Sequence, residues 1–266
     1  MATETRHIVM AKRPAKTVSA EDFRIEAATL VPPGEGEVLV RNLWMSVDPY
    51  MRLYLSEQNG LHSSMPIGET LTGAAVGEVI ESRSATLPQG SFVISQTMGW
   101  REHYVAAADS LSPLAADSGP LQRYLGIYGL TGITAFAGIR HVLKPQPGET
   151  LFVSGAAGAV GSVAVQLAKI AGARVIGTTG SDDKGRWLTK TLGTDAFVNY
   201  RDEDVASRLD AECNAIVLSI YEFKSIKTYV AIASMTEPRI VIGHIHIHHE
   251  DVAGGIGCLV IVVFCD

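Results

Sequence analysis

The sequence predicts an α/β chain in two parts, a partly open antiparallel β-barrel followed by a doubly wound parallel sheet. Three observations carry this expectation. Short, glycine-punctuated strand patterns fill the N-terminal part of the chain. A strand, a glycine turn, a helix and a second strand run from Leu151 to Lys184. Beyond that unit, apolar strand patterns alternate with helical ones, the arrangement that winds helices over both faces of a parallel sheet.

In the first part, Val38-Leu39-Val40-Arg41 follows the turn-rich Pro32-Pro33-Gly34-Glu35-Gly36. Ala74 to Glu81 alternates through Val76, Val79 and Ile80, with Gly73 and Gly77 as expected bulge or barrel-corner positions. Gly90 feeds a further strand through Phe92, Val93 and Ile94. The texture changes from Leu121. Leu125 to Leu143 reads as partly helical, broken by Gly129 and Gly132, and Lys144-Pro145-Gln146-Pro147-Gly148 forms a turn. The boundary is placed within 120–125, giving domains 1–122 and 123–266.

Leu151-Phe152-Val153-Ser154 is an apolar run suited to a buried parallel strand. Val160, Val163, Ala164, Leu167 and Ala168 follow at helical spacing, Gly172 is placed to cap the helix, and Arg174 to Thr179 reads as the second strand. The turn between them resembles G-x-G-x-x-G, with Ala156 in the first place and Gly158 and Gly161 in the others. Small residues let a backbone approach a dinucleotide pyrophosphate, and the helix N-terminus offers N–H groups and a positive dipole end. Ala156, Ala157, Gly158, Ala159, Val160 and Gly161 are therefore candidate cofactor contacts. The alternative is tight helix–strand packing with no ligand; the placement between a strand and a helix favours the ligand.

The end of the second strand bears on which dinucleotide binds. An acidic residue there holds the ribose 2′-OH of NAD, yet this strand ends in Thr179-Gly180, followed by Ser181-Asp182-Asp183-Lys184. Gly180 leaves space where a carboxylate would repel a 2′-phosphate. Ser181 is a candidate helix N-cap and phosphate donor, and Lys184, one turn in, is the candidate cation for that phosphate, with an ordinary solvated lysine the alternative. Asp182 and Asp183 suit the positive end of a helix better than a ribose. This chemistry favours NADP(H) over NAD(H).

Further on, Trp187, Leu188 and Leu192 mark a helix face that Gly193 caps, and Asp195 to Tyr200 reads as the third strand. Ala215 to Leu218 and Arg239 to Gly243 are the expected fourth and fifth strands. A chain of 266 residues, net charge −6 and 47% hydrophobic residues allows one large or two ordinary domains. The mild acidity and the lack of a basic cluster argue against a nucleic-acid partner. The three cysteines, Cys213, Cys258 and Cys265, suggest no disulfide framework, which fits a reducing cytoplasm. Met1 to His7 lacks the apolar core of a signal peptide, and the apolar run Cys258 to Phe264 is too short to span a bilayer, so no membrane partner is expected.

Three stretches narrow the reading further: Ser46-Val47-Asp48-Pro49-Tyr50-Met51-Arg52, Leu125 to Ala135, and Val153 to Lys169. Together they resemble the zinc-independent branch of the medium-chain dehydrogenase/reductases, which holds prostaglandin reductases, plant alkenal double-bond reductases and bacterial curcumin reductases. The resemblance covers residues 7 to 245. It implies a GroES-like barrel followed by a Rossmann-type domain, an NADP(H) cofactor and a small enone or enal substrate. Hydride would pass from the nicotinamide to the β-carbon, and charge building on the carbonyl oxygen would need hydrogen-bond donors.

On that resemblance Tyr50 is the catalytic candidate; its alternative role is a barrel residue satisfying a buried backbone group. Leu130 and Thr134 would touch the nicotinamide side, with plain core packing the alternative for Leu130. Tyr200 would lie by the adenosine end, and Ser219 takes the place of an Asn in the fourth strand's exit loop. No metal ligand is expected, because Glu69 stands where the zinc enzymes carry His and no cysteine precedes Cys213.

The C-terminal part departs from the family from about residue 244. His244, His246 and His248 would share one face of a strand, a spacing that suits a metal, although a polar surface is the favoured reading. Relatives continue for several tens of residues past the end of this chain, which reads as a truncated or diverged member. Its tail has room for one more strand, and an exposed apolar edge would favour a homodimer. Two rival activities stand beside enone reduction: quinone reduction, and cofactor binding with impaired catalysis.

Overall fold

The computed structural model describes residues 2–15, 17–56, 64–115, 119–212, 218–220 and 260–261. The expected fifth strand, the histidines from His244 to His249, the three cysteines and most of the expected fourth strand lie outside them. The chain divides into two units, Met1–Leu125 and Gly126–Asp266.

In the first unit, β1 (Thr3–Met10) and β2 (Phe23–Leu30) form an antiparallel pair. A second antiparallel sheet contains β3 (Glu37–Met45), β4 (Ala75–Ser82), β5 (Phe92–Ser95), β6 (His103–Ala107) and β7 (Ser112–Leu114), in the order β6-β3-β4-β5-β7. Alternate residues point inward, so Val38, Val40, Val79, Val93 and Tyr104 share one buried cluster. The β3–β4 register slips twice, between Leu39 and Val40 and between Asn42 and Trp44, and Gly77 pairs with Asn42 beside the second slip. Such slips bend a sheet toward a barrel. Single bridges from His7 to Arg101 and from Val9 to Thr70 tie β1 to the barrel. The short helix α1 (Met51–Leu55) follows Tyr50.

In the second unit, β8 (Thr150–Val153), β9 (Arg174–Thr179), β10 (Ala196–Asn199) and β11 (Leu218–Ile220) are parallel in the order β10-β9-β8-β11. The helices are α2 (Leu130–Phe136), α3 (Ala159–Ile170), α4 (Asp182–Trp187) and α5 (Val205–Glu212). Leu151, Val153 and Val175 pack with Ala164, Val165 and Ala168 of α3, whereas Phe152, Ile176 and Val198 pack with Val205 and Leu209 of α5. Both faces are thus covered, which is why these strands read as continuous apolar runs. Each fully buried Leu or Val contributes about 1.5–3 kcal/mol. The fold is the expected one, a barrel-like unit followed by a Rossmann-type sheet.

Three details differ from the expectation. Gly132 does not break a helix; it lies inside α2, where a Cβ would stand 1.8 Å from the Ile127 carbonyl oxygen. The glycine lets α2 fold onto its own entry turn, whose Gly126 carbonyl accepts from the N–H groups of Gly129 and Gly132 and from the Thr131 hydroxyl, at 3.0, 3.1 and 2.9 Å. Ser219 is the middle residue of β11 and not part of its exit loop, because the strand pairs on both sides, with Phe152 of β8 and with Ile261 of β12 (Val260–Ile261). That last pairing is antiparallel, so the sheet is parallel only as far as β11. Among the described residues, no helix is long and apolar enough to cross a membrane.

Candidate active site

The glycine turn sits at the carboxyl end of β8, beside the point where the strand order reverses from β9 to β11, the usual ligand crevice of such sheets. The turn is pinned to the neighbouring strand: the Ala156 N–H donates to the Thr178 carbonyl at 2.9 Å and the Gly155 N–H to the Thr178 hydroxyl at 3.3 Å. Gly158 caps α3, and the Ser162 N–H donates to its carbonyl at 2.9 Å. The N–H groups of Ala159, Val160 and Gly161 therefore have no acceptor within the helix and form its positive end. At Gly161 a Cβ would meet the Gly155 carbonyl oxygen at 2.4 Å and the Ala156 Cα at 2.8 Å. Both obstacles are backbone, so only glycine lets α3 start this close to the turn. Ala156 is fully buried beneath it, while Ala157 is partly buried.

At the end of β9, Thr179 is buried and its carbonyl accepts from the Tyr200 N–H at 3.1 Å. Ser181 is the N-cap of α4 and accepts from the Lys184 N–H at 3.5 Å. Asp183 pairs with Arg186 at 2.5 Å, and Asp182 accepts from the Asn199 amide at 2.9 Å, as befits residues of a first helical turn. The Lys184 side chain is exposed. The space at Gly180, expected to be open, is filled. A Cβ there would stand 2.6 Å from the Tyr200 hydroxyl and 3.3 Å from Arg201 Nε. Gly180 is small because the loop after β10 lies over it.

The last residue of β10 and that loop supply two residues the sequence reading passed over. Buried Asn199 ties it down: its N–H donates to Glu203 at 3.0 Å, its amide to Asp182 and to Asp202 at 2.6 Å, and its side-chain oxygen accepts from the Arg201 N–H at 3.3 Å. Arg201 thereby brings a second cation to the end of β9. The signal was available. In a parallel sheet adjacent strands end side by side, so the residues after the third strand must neighbour the residues after the second.

Leu130 and Thr134 lie one turn apart on α2, Leu130 exposed and Thr134 partly so. Ala135 on the same helix is the residue buried in the core with α3, so Leu130 is not plain core packing. Ser219 lies one strand from the glycine turn.

In the other unit, Tyr50 precedes α1 and is half-buried, its ring edge-on to Tyr54 at 6.0 Å and 88°. Burial, helped by the Asp48 carboxylate and by Tyr54, pushes its phenol up to about 12, so it stays protonated and able to donate at neutral pH. Asp48 accepts from the Ser46 hydroxyl at 2.5 Å. Among the described residues, no group of three or more His, Cys, Asp or Glu is arranged to hold a metal.

Residues 6–114 match the family model of the N-terminal domain of oxidoreductases, and residues 159–241 match that of zinc-binding dehydrogenases. Both parts of one architecture are therefore present in order. The chain belongs to the medium-chain dehydrogenase/reductases, in their zinc-independent branch. Within this family it is 33% identical to the NADPH-dependent curcumin reductase of Escherichia coli over 227 residues, 85% of this chain and 66% of that protein. It is 38% identical to prostaglandin reductase 1 of Bos taurus over 183 residues, 68% of this chain and 53% of that protein. The crystal structure of CurA from Vibrio vulnificus in complex with NADPH matches with a TM-score of 0.75 and 31% identity, over 82% of this chain and 66% of that one. The chain thus spans between about half and two thirds of the relatives it matches.

Proposed function

We propose that this protein is an NADPH-dependent oxidoreductase that reduces the carbon–carbon double bond of α,β-unsaturated ketones or aldehydes without zinc. The observation that carries the cofactor reading is the end of β9, where Gly180 lies beneath Tyr200 and Arg201 with Lys184 on the adjoining helix. A site for a ribose 2′-OH calls for a carboxylate there, whereas cations suit a 2′-phosphate. The E. coli, Bos taurus and Vibrio relatives support the reaction class.

In this reading the N–H groups of Ala159, Val160 and Gly161, with the backbone of Ala156, Ala157 and Gly158, hold the pyrophosphate. Thr179, Ser181, Lys184, Tyr200 and Arg201 hold the adenosine end, and Leu130 and Thr134 line the nicotinamide half. When bound, NADPH supplies a hydride. Tyr50 donates a hydrogen bond to the substrate carbonyl oxygen and stabilises the charge that gathers there; it keeps its proton, because burial holds its phenol un-ionised, and the α-carbon of the resulting enolate takes its proton from water.

The test is NADPH deuterated at the nicotinamide C4, offered with an enone and separately with a quinone. The expected product is a saturated ketone labelled at the β-carbon. Label on a carbinol carbon, turnover with the quinone alone, or cofactor binding without turnover on either would refute the assignment.

A further inference from the structure

The unit Met1–Leu125 holds a cavity of about 420 Å³ between the β1–β2 pair and β6. None of the residues assigned above lines it, and its chemistry is independent of the enone-reductase reading. Strand register shows how it is polarised. His7 bridges to Arg101 at one end. In the middle, Thr5 pairs with Ala28, accepts from the His103 N–H at 3.0 Å and donates to the His103 carbonyl at 3.4 Å. Leu30, Val31, Pro32 and Val105 line it farther along. One end is therefore basic and the other mostly apolar, with the Glu37 carboxylate beside it.

The basic end has features of a built site. Arg101 is partly buried, and its Nε donates to the Gly99 carbonyl at 3.2 Å. Among the described residues no carboxylate comes within 4 Å of its guanidinium, since neighbouring Glu102 is taken by Arg6 at 2.9 Å. Burial without a counter-charge lowers its pKa, with the Tyr104 phenol only partly offsetting the effect. An arginine held this way is poised for an anion.

Its backbone is held firmly as well. Trp100 has φ +60, a strained conformation for a bulky residue, and the turn is fixed by Ile8 N–H to Trp100 carbonyl and Glu102 N–H to Arg6 carbonyl bonds, both 2.9 Å.

The charge balance limits what would bind. Arg101 is the only lining residue with a permanent positive charge. His7 faces Glu26 at 3.8 Å, and Glu37 sits toward the apolar end, opposite Ala107, where it accepts from the Gly34 N–H at 2.7 Å. Arg101 and Glu37 cancel, so the lining has no net charge and its positive charge is confined to the Arg101 end, where one guanidinium fork matches one carboxylate better than a dianionic phosphate. A cavity of this size falls in the small-molecule range of about 300–1,000 Å³.

We propose that this cavity binds a small monocarboxylate with an apolar tail, its carboxylate on Arg101 and its tail toward Leu30, Val31 and Pro32. The test is an amide NMR titration of the full chain saturated with NADPH, using hexanoate, hexan-1-ol and inorganic phosphate as probes. Hexanoate is expected to shift the amides of Thr5 and of Arg101 to Val105. Its affinity is expected to fall about ten- to a hundredfold in Arg101→Gln, the range for one charge-assisted contact. Arg101→Lys, which keeps the charge and loses the fork, is expected to fall between. Hexan-1-ol is expected to bind at least about tenfold more weakly than hexanoate, and phosphate not at all. No hexanoate binding, equal binding of the alcohol, preference for phosphate, or unchanged affinity in the Gln and Lys variants would each overturn the proposal. Should Arg101→Gln fail to fold, the Lys variant and the comparison of probes on the wild type decide.

Discussion

Lys184 and Arg201 approach the end of β9 from different elements, one from the first turn of α4 and one from the loop after β10, and each can be replaced by alanine alone or with the other. A unit charge pair 4 Å apart in water is worth about 1 kcal/mol, and a 2′-phosphate carries about −2, so each cation contributes about 2 kcal/mol unscreened. The sites are exposed, and a Debye length of about 8 Å at physiological salt trims this to about 1.2 kcal/mol, roughly tenfold in affinity. Nearby acids subtract little, since Asp183 is paired with Arg186 and Asp182 is occupied by Asn199. The two cations share no hydrogen bond with each other, so their effects should multiply. Lys184→Ala and Arg201→Ala are each expected to weaken NADPH about tenfold and together about a hundredfold, with NADH changed less than about twofold. Fluorescence titration of both cofactors at two salt concentrations reads this directly, and the wild type should lose more NADPH affinity to added salt than the double variant. Equal losses for NADPH and NADH, or none, would remove both residues from the phosphate site.

Tyr50→Phe is expected to lower turnover about ten- to a thousandfold, as for loss of one oxyanion donor, with NADPH affinity unchanged. A phenol raised to about 12 favours the neutral form, so the wild-type pH–rate profile should show no break from Tyr50 below about pH 11; steady-state kinetics from pH 6 upward check both points. Gly180→Asp should push Tyr200 off the end of β9 and put a carboxylate in its place, moving preference toward NADH by at least about tenfold in relative affinity; unchanged preference would show that residue 180 does not bear on the choice. Gly161→Ala places a Cβ against backbone at 2.4 Å and should destabilise by about 1–3 kcal/mol, lowering the melting temperature by roughly 2–12 °C in calorimetry.

The sheet strands were the most legible part of this chain. Arg174 to Thr179 appears as β9 residue for residue, because a strand buried on both faces declares itself by composition alone. Ser181 as N-cap and Gly172 just past α3, in a left-handed conformation with φ +83, were legible for the same local reason. Gly132 misled because its purpose is a contact with Ile127, five residues back, and a glycine that permits close approach looks like one that breaks a helix. Arg201 and Asn199 were missed because their role exists only once β10 lies beside β9. No local pattern marks a cation that reaches its site across strands. The Arg101 cavity is of the same kind, assembled from β1, β2 and β6, which are far apart in sequence.

The bonds that converge on Asn199 have a further consequence for how the cofactor arrives. The loop from Asn199 to Glu203 is already fastened to α4 and to itself before any ligand is present. Little chain remains to be ordered on binding there, so that end of the site carries a small entropic penalty and little conformational change. Association should then be governed by diffusion and by the pull of the two cations on a polyanion, with encounter rates that fall as ionic strength rises. Discrimination between the two dinucleotides would begin at the first encounter, before the nicotinamide half has docked.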